Sequence, residues 1–105
     1  MEFIETPTFT KLVLNLLEDS DYAKLQATLA VQPNMGKVIP SSGGIRKARW
    51  NSFGKGKRGG LRVLYYWEVS TEVIWMLLIY PKNRQETLSH DQVRQLKILV
   101  EEFLL

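Results

Sequence analysis

Apolar residues recur at helical spacing near both ends of the chain and at strand-like spacing between them. Phe9, Leu12, Val13, Leu16 and Leu17 share one face of a helix. Thr6 followed by Pro7 supplies a capping hydroxyl and then a proline at the first helical position, where no N–H is needed. The polar run "EDSD" interrupts this pattern, and Ser20 or Asp21 can cap a second helix carrying Tyr22, Leu25, Leu29 and Val31. Pro33 ends it, so the two helices form a tight hairpin. Ahead of them, "EFIE" (Glu2 to Glu5) alternates and suits a short first strand.

From residue 34 the period changes. "NMGKVIPSSGG" is irregular, with a brief strand at Lys37 to Ile39. In "IRKARW", Ile45, Lys47 and Arg49 point one way and Arg46, Ala48 and Trp50 the other. "LRVLYYWEV" is a strong strand, its adjacent Tyr65 and Tyr66 split across the sheet with one of them buried, and "STE" is a turn. "VIWMLLIY" is an almost unbroken run of strand formers, the pattern of a central strand covered on both faces. After the polar loop "PKNRQET", Ser89 and Gln92 form a capping box. It opens a last helix through Val93, Leu96, Leu99, Val100 and Phe103. The order is strand, two helices, at least three antiparallel strands, helix. This is an α+β pattern, with helices packed on a mainly antiparallel sheet in a single domain spanning residues 1–105.

Charge sharpens the picture. The net charge is only +3, but no acidic residue lies between Asp21 and Glu68. That stretch holds Lys24, Lys37, Arg46, Lys47, Arg49, Lys55, Lys57, Arg58 and Arg62. Such asymmetry points to a polyanionic partner, nucleic acid first. The absence of cysteine removes disulfides, thiolate catalysis and cysteine-based metal sites, and a lone histidine, His90, removes a multi-histidine site. No metal or cofactor is expected. "MEFIETPTF" lacks the basic and apolar regions of a signal peptide, and "VIWMLLIY" is too short to span a bilayer. A cytoplasmic protein without membrane contact is expected.

"GKGKRGG" (Gly54 to Gly60) contains a GxGxxG match. A dinucleotide cradle requires a helix directly after the glycines, whose N-terminus holds the pyrophosphate. Here a strand follows, and the Walker pattern GxxxxGK[ST] is absent. What the loop does contain is Lys55, Lys57 and Arg58 on a glycine frame, with Arg62 just inside the next strand. Glycines allow close backbone approach to a ligand, and three cations can converge on one phosphate. The plainer reading is a hairpin turn whose charges discourage edge pairing.

Three segments together, "GGIRKARW", "GKGKRGGLRVLYYW" and "LLIYPKN" followed by "LSHDQ", resemble the HigB-type branch of the RelE/ParE toxins, the toxin halves of bacterial type II toxin–antitoxin pairs. The resemblance runs from about Gly43 to Leu96, while the two N-terminal helices agree in type only. It implies a RelE-like fold: a small, mainly antiparallel sheet with two N-terminal helices and a C-terminal helix. It implies a ribosome-dependent endoribonuclease, an mRNA interferase that cuts mRNA in the ribosomal A site without metal. The 2′-hydroxyl would attack the adjacent phosphate. It also implies a cognate antitoxin, a helix-turn-helix protein of HigA type, alongside ribosome and mRNA as partners.

By this resemblance Arg62 is the residue that stabilises the phosphate, the alternative being an ion pair with Glu68 or Glu72. Lys55 and Lys57 match the family's paired basic residues, as base or as charge stabiliser. Arg58 stands where the family often has a small residue and would contact the backbone of RNA or ribosomal RNA. Tyr80 and Lys82 match a Y-x-K after the last strand: Tyr80 would stack on a base or share proton transfer, Lys82 would contact phosphate, and Arg84 is a further candidate in the same loop. Pro81 stands where relatives often have glycine and so bears on Tyr80's geometry. Arg46, Lys47 and Arg49 resemble strand cations that bind ribosomal RNA. His90 reads as an exposed helix-start residue, Trp67 and Trp75 as core, and Trp50 as a sheet-edge residue. The competing readings are a ParE-type gyrase poison of the same fold and a non-catalytic RNA-binding domain. RNA cleavage by its own 2′-hydroxyl needs a base, an acid and stabilisation of phosphorane charge, which lysine, arginine and tyrosine can supply.

Overall fold

The computed structural model describes residues 1–51, 60–84 and 87–104. Five strands and three helices follow in the order β1 (Glu2–Glu5), α1 (Pro7–Leu16), α2 (Asp19–Val31), β2 (Lys37–Val38), β3 (Arg46–Trp50), β4 (Leu61–Glu68), β5 (Val73–Pro81) and α3 (His90–Phe103). A short 3-10 turn at Val69–Thr71, with Glu72 in the left-handed region at φ 56°, joins β4 to β5. The strands form one sheet in the order β1-β5-β4-β3-β2. Every neighbouring pair is antiparallel except β1 and β5, which run parallel. The parallel pair requires the chain to cross over between them, and the α1–α2 hairpin begins that crossover on one face of the sheet.

Sheet alternation divides the core in two. On one face, Phe9, Val13, Leu16, Leu25 and Leu29 from the helical hairpin pack on Ala48, Val63, Tyr65, Ile74, Met76 and Ile79. On the other, Val100 of α3 packs with Ile45, Leu64, Leu77 and Tyr80, and Trp75 stacks on Phe103 at 4.4 Å between ring centres. Strand β5 is thus central and covered on both faces, which is why its sequence is almost uninterrupted in apolar residues.

Three local devices hold this arrangement. Thr6 caps α1, accepting from the Phe9 N–H at 3.0 Å, and its hydroxyl donates to the Leu77 carbonyl at 3.0 Å. Leu77 is the extra residue of a β-bulge, since Leu64 pairs with Leu78 and Tyr65 with Met76. Its carbonyl is therefore met by the helix cap. Ser89 and Gln92 form the reciprocal capping box at the start of α3. Ser42, buried in the turn before β3, donates to the Ile39 carbonyl at 2.6 Å and accepts from the Ile45 N–H at 2.9 Å, closing β2 onto β3.

The start of α2 departs from the sequence expectation. Its N-cap is Glu18, without a side-chain cap bond, and the helix begins at Asp19. Ser20 and Asp21 lie inside the first turn. Asp21 is drawn into the protein instead, 8% exposed, where its Oδ1 accepts from the Trp50 indole N–H at 3.2 Å. A tertiary hydrogen bond took the residue that local pattern assigns to the cap. Val31, placed on the apolar face by its spacing, is the last residue of the helix and is exposed.

Candidate phosphate-binding site

Strand register brings the basic residues of the central stretch together. Lys47 and Arg49 of β3 lie two residues apart, on the sheet face that α3 covers in part. Arg49 pairs directly with Arg62 of β4, and Lys47 on its other side pairs with Lys37 of the short edge strand β2. Arg62 pairs in turn with Tyr80 of β5. The result is a row Arg49–Arg62–Tyr80 across three strands, with Lys37–Lys47 alongside it. Side chains directly opposite one another in an antiparallel pair stand roughly 5 Å apart at Cβ, and like charges there are destabilising. This face carries two such like-charge pairs.

The cations border an open cleft of about 650 Å³, lined by Met35, Lys37, Lys47, Ala48, Arg49, Arg62 and Thr87. No acidic residue is among these lining residues. Arg62 is 7% exposed, and its Nη1 donates to the Leu61 carbonyl at 3.2 Å. Arginine is seldom buried to this degree without a partner for its charge. The ion-pair alternative with Glu68 or Glu72 does not match the register. Arg62 lies near the start of β4, whereas Glu68 ends that strand and accepts from the Trp75 indole N–H at 3.3 Å.

Tyr80 is buried beside Arg62, and among the described residues its hydroxyl has no hydrogen-bond partner. Burial raises its pKa above the ordinary phenol value, and the charge of Arg62 opposes that rise. A neutral phenol with an unused donor and acceptor, next to an arginine, can hydrogen-bond a phosphate oxygen or pass a proton. Pro81 leaves this geometry intact: it pairs with Leu61 as the last residue of β5, and Lys82 continues the ladder with an N–H bond to the Gly60 carbonyl at 3.2 Å.

The other expected residues are distributed as follows. Arg46 is on the opposite face from Lys47 and Arg49, as β3 alternation requires, and its Nη1 donates to the carbonyls of Gly36 at 2.7 Å and Asn34 at 3.4 Å. It belongs to the frame of the α2–β2 connection and stands apart from the cationic cluster. Lys82 is half-buried and engaged in an interaction of its own, at the same end of the sheet as Arg62. Arg84 is exposed in the turn after β5. Lys55, Lys57 and Arg58 lie outside the described residues, but the flanks of their segment are fixed: Trp50 pairs with Leu61, so residues 51 and 60 stand together at the Arg62 end of the sheet. His90 is exposed at the first position of α3. Trp67 and Trp75 are half-buried against the two cores, and Trp50 ends β3 beyond the reach of β2. Tyr65 is fully buried and Tyr66 half-buried, on opposite faces. Among the described residues no three His, Asp or Glu side chains group together as a metal site would require.

Lys37 and Thr87 were not singled out by the sequence. Lys37 was legible only as one cation in an acid-free stretch; its membership depends on the β2–β3 pairing, which two residues of strand do not announce. What fixes it is Tyr65, whose hydroxyl accepts from the Gly36 N–H at 2.9 Å and donates to the Pro33 carbonyl at 2.7 Å. Gly36 fits because it lacks a Cβ: one there would stand 3.0 Å from the Lys47 backbone and from the Tyr65 ring.

No protein-family model matches the sequence. Among solved structures the fold is similar to that of the E. coli toxin RelE, determined as a double arginine-to-alanine mutant in the free state. The TM-score is 0.58 at 12% sequence identity, over 92% of this chain and 93% of that chain. The chain therefore has a RelE-like α+β fold.

Proposed function

We propose that this protein is the toxin of a type II toxin–antitoxin pair and acts as a ribosome-dependent, metal-free mRNA endoribonuclease. The observation that carries the reading is the cleft in which Lys37, Lys47, Arg49 and Arg62 meet as two like-charge pairs, with no acid among its described lining residues, beside a buried Tyr80 hydroxyl that has no hydrogen-bond partner among the described residues. Like charges set directly opposite one another are costly in the free protein and are relieved by a bound phosphate. The RelE-like fold supports the same conclusion, as do the segments that resemble HigB-type toxins.

In this reading the mRNA backbone lies across the row Arg49–Arg62–Tyr80. Arg62, held by burial, presents its guanidinium to the phosphate oxygens where charge accumulates during attack by the 2′-hydroxyl. Arg49 and Lys47 position the neighbouring phosphate. Lys55 and Lys57 serve as base or charge stabiliser, Arg58 and Arg84 as backbone contacts, and Tyr80 or Lys82 as proton donor to the leaving 5′-oxygen. A HigA-type antitoxin is the expected partner that silences the site.

The test is induced expression in growing bacteria, with the 5′ ends of mRNA mapped. Cuts within translated codons, absent for Arg62→Ala, are expected. Double-strand DNA breaks with intact mRNA would instead assign the protein to gyrase poisoning. Growth without either effect would leave only RNA binding.

A further inference from the structure

Next to the phosphate cleft is a second, smaller cavity of about 180 Å³. Its walls are Val38, Ile39 and Pro40, at and just beyond the edge strand β2, and Leu88 and Val93, at the start of α3. Lys37, Lys47 and Thr87 line both cavities, so the two adjoin. One is cationic and the other apolar, and the same two lysines stand at their boundary.

That pairing matches the two halves of a nucleotide. A lysine has an apolar stem and a charged tip, so Lys37 and Lys47 can wall an apolar slot with their methylenes while their ammonium groups reach a phosphate. A nucleobase offers two apolar faces and a polar rim, and an extruded base can be held between apolar side chains. The slot is open at its β2 side, where Pro40 is exposed, so a base can enter from solvent. Sheet-edge pairing by another protein strand is disfavoured here. β2 is only two residues long, Lys37 is charged, and Pro40 follows directly.

We propose that the slot formed by Ile39, Pro40, Leu88 and Val93 is a base subsite, which seats the nucleobase attached to a phosphate held by Lys47 and Arg49. The inference rests on the nuclease reading for its substrate, a single-stranded RNA. It adds that sequence preference at the cut is set by β2 and the N-terminal turn of α3, away from the arginines that contact the backbone. Phosphate contacts position the chain; contacts with bases discriminate.

The experiment has two arms. In the first, the intact chain labelled with ¹⁵N is titrated with adenosine 3′-phosphate, uridine 3′-phosphate and inorganic phosphate. Amide shifts at Arg49, Arg62 and Lys47 are expected with all three, and shifts at Val38, Ile39, Leu88 and Val93 only with the nucleotides. Val93→Phe, which fills the slot, and Pro40→Gln, at an exposed position where folding is safe, should weaken nucleotide binding by about fivefold and leave phosphate binding unchanged. In the second arm, cut sites are mapped on ribosome-bound mRNA for wild type and both variants. Val93→Phe is expected to redistribute cuts among codons, whereas Arg62→Ala abolishes them. Nucleotides that shift only the residues that phosphate shifts would overturn the subsite, as would an unchanged cut distribution in both variants. The same holds if the variants lose only binding to a protein partner. Slot shifts in a wild type that cuts no mRNA would retain the subsite and dispose of the nuclease reading, so the two failures are distinguishable.

Discussion

At the residue scale the protein turns on Arg62. Its burial fixes the guanidinium, and among the described residues no carboxylate pairs with it, the arrangement expected of a group that meets an incoming anion. Arg62→Ala is expected to lower mRNA cleavage by about 10²–10³-fold, the usual effect of removing one donor to a developing oxyanion. A thermal melt will check that the variant is folded; relief of the Arg49–Arg62 repulsion should keep its midpoint at or above that of the wild type. Tyr80→Phe separates two roles for the phenol. Its hydroxyl has no described partner, so the variant should lose no stability. Cleavage by the variant should fall if the hydroxyl meets the substrate; unchanged cleavage would make Tyr80 a packing residue only.

At the element scale, β3 carries two unlike roles on its two faces, and adjacent residues should separate them. Arg46→Ala removes the bonds to the Gly36 and Asn34 carbonyls and is expected to cost about 1 kcal/mol of stability, with little change in RNA affinity. Arg49→Ala should do the reverse: unchanged denaturation, weaker ribosome binding and a shallower salt dependence by about one phosphate contact. Chemical denaturation and binding measured across a salt series check both. The α2–β2 connection supplies a second case. Tyr65→Phe strands the Gly36 N–H and the Pro33 carbonyl and should cost about 1–3 kcal/mol. Because Lys37 follows Gly36, loss of cleavage beyond that loss of stability would show that the tyrosine positions the site from the far side of the sheet.

At the scale of the whole molecule, three tyrosines are shifted in the same direction, and Tyr22 and Tyr65 tie distant segments together. Tyr22 donates to Glu5 at 2.6 Å, and burial, with the nearby carboxylate, raises its pKa; burial also raises Tyr65 and Tyr80. Each keeps its proton in the folded chain at a pH where the unfolded chain releases it. The folded state then binds more protons, so stability falls with rising pH, starting near the ordinary tyrosine value of about 10. Denaturation midpoints measured from pH 8 to 11 should stay flat and then decline. Tyr22→Phe should lessen the decline, because its share of the linkage is removed.

Much of this was legible in the sequence, and the parts that were not share a cause. The Thr6–Pro7 start of α1, the Ser89–Gln92 box, the split of Tyr65 and Tyr66 and the central place of β5 depend on neighbours within a few residues, and pattern alone reveals them. The acid-free stretch marked where the cations would gather, and the alternation of "IRKARW" already placed Lys47 and Arg49 on one face and Arg46 on the other. Tertiary structure decided what those faces meet. The parallel β1–β5 pair, the diversion of Asp21 from cap to Trp50 and the bulge at Leu77 arise from contacts between residues far apart in sequence. So does the pairing of Lys37 with Lys47 and of Arg49 with Arg62. Local periodicity fixes which way a side chain points, whereas strand register, set by the packing of two cores on one sheet, fixes which charges come to stand side by side.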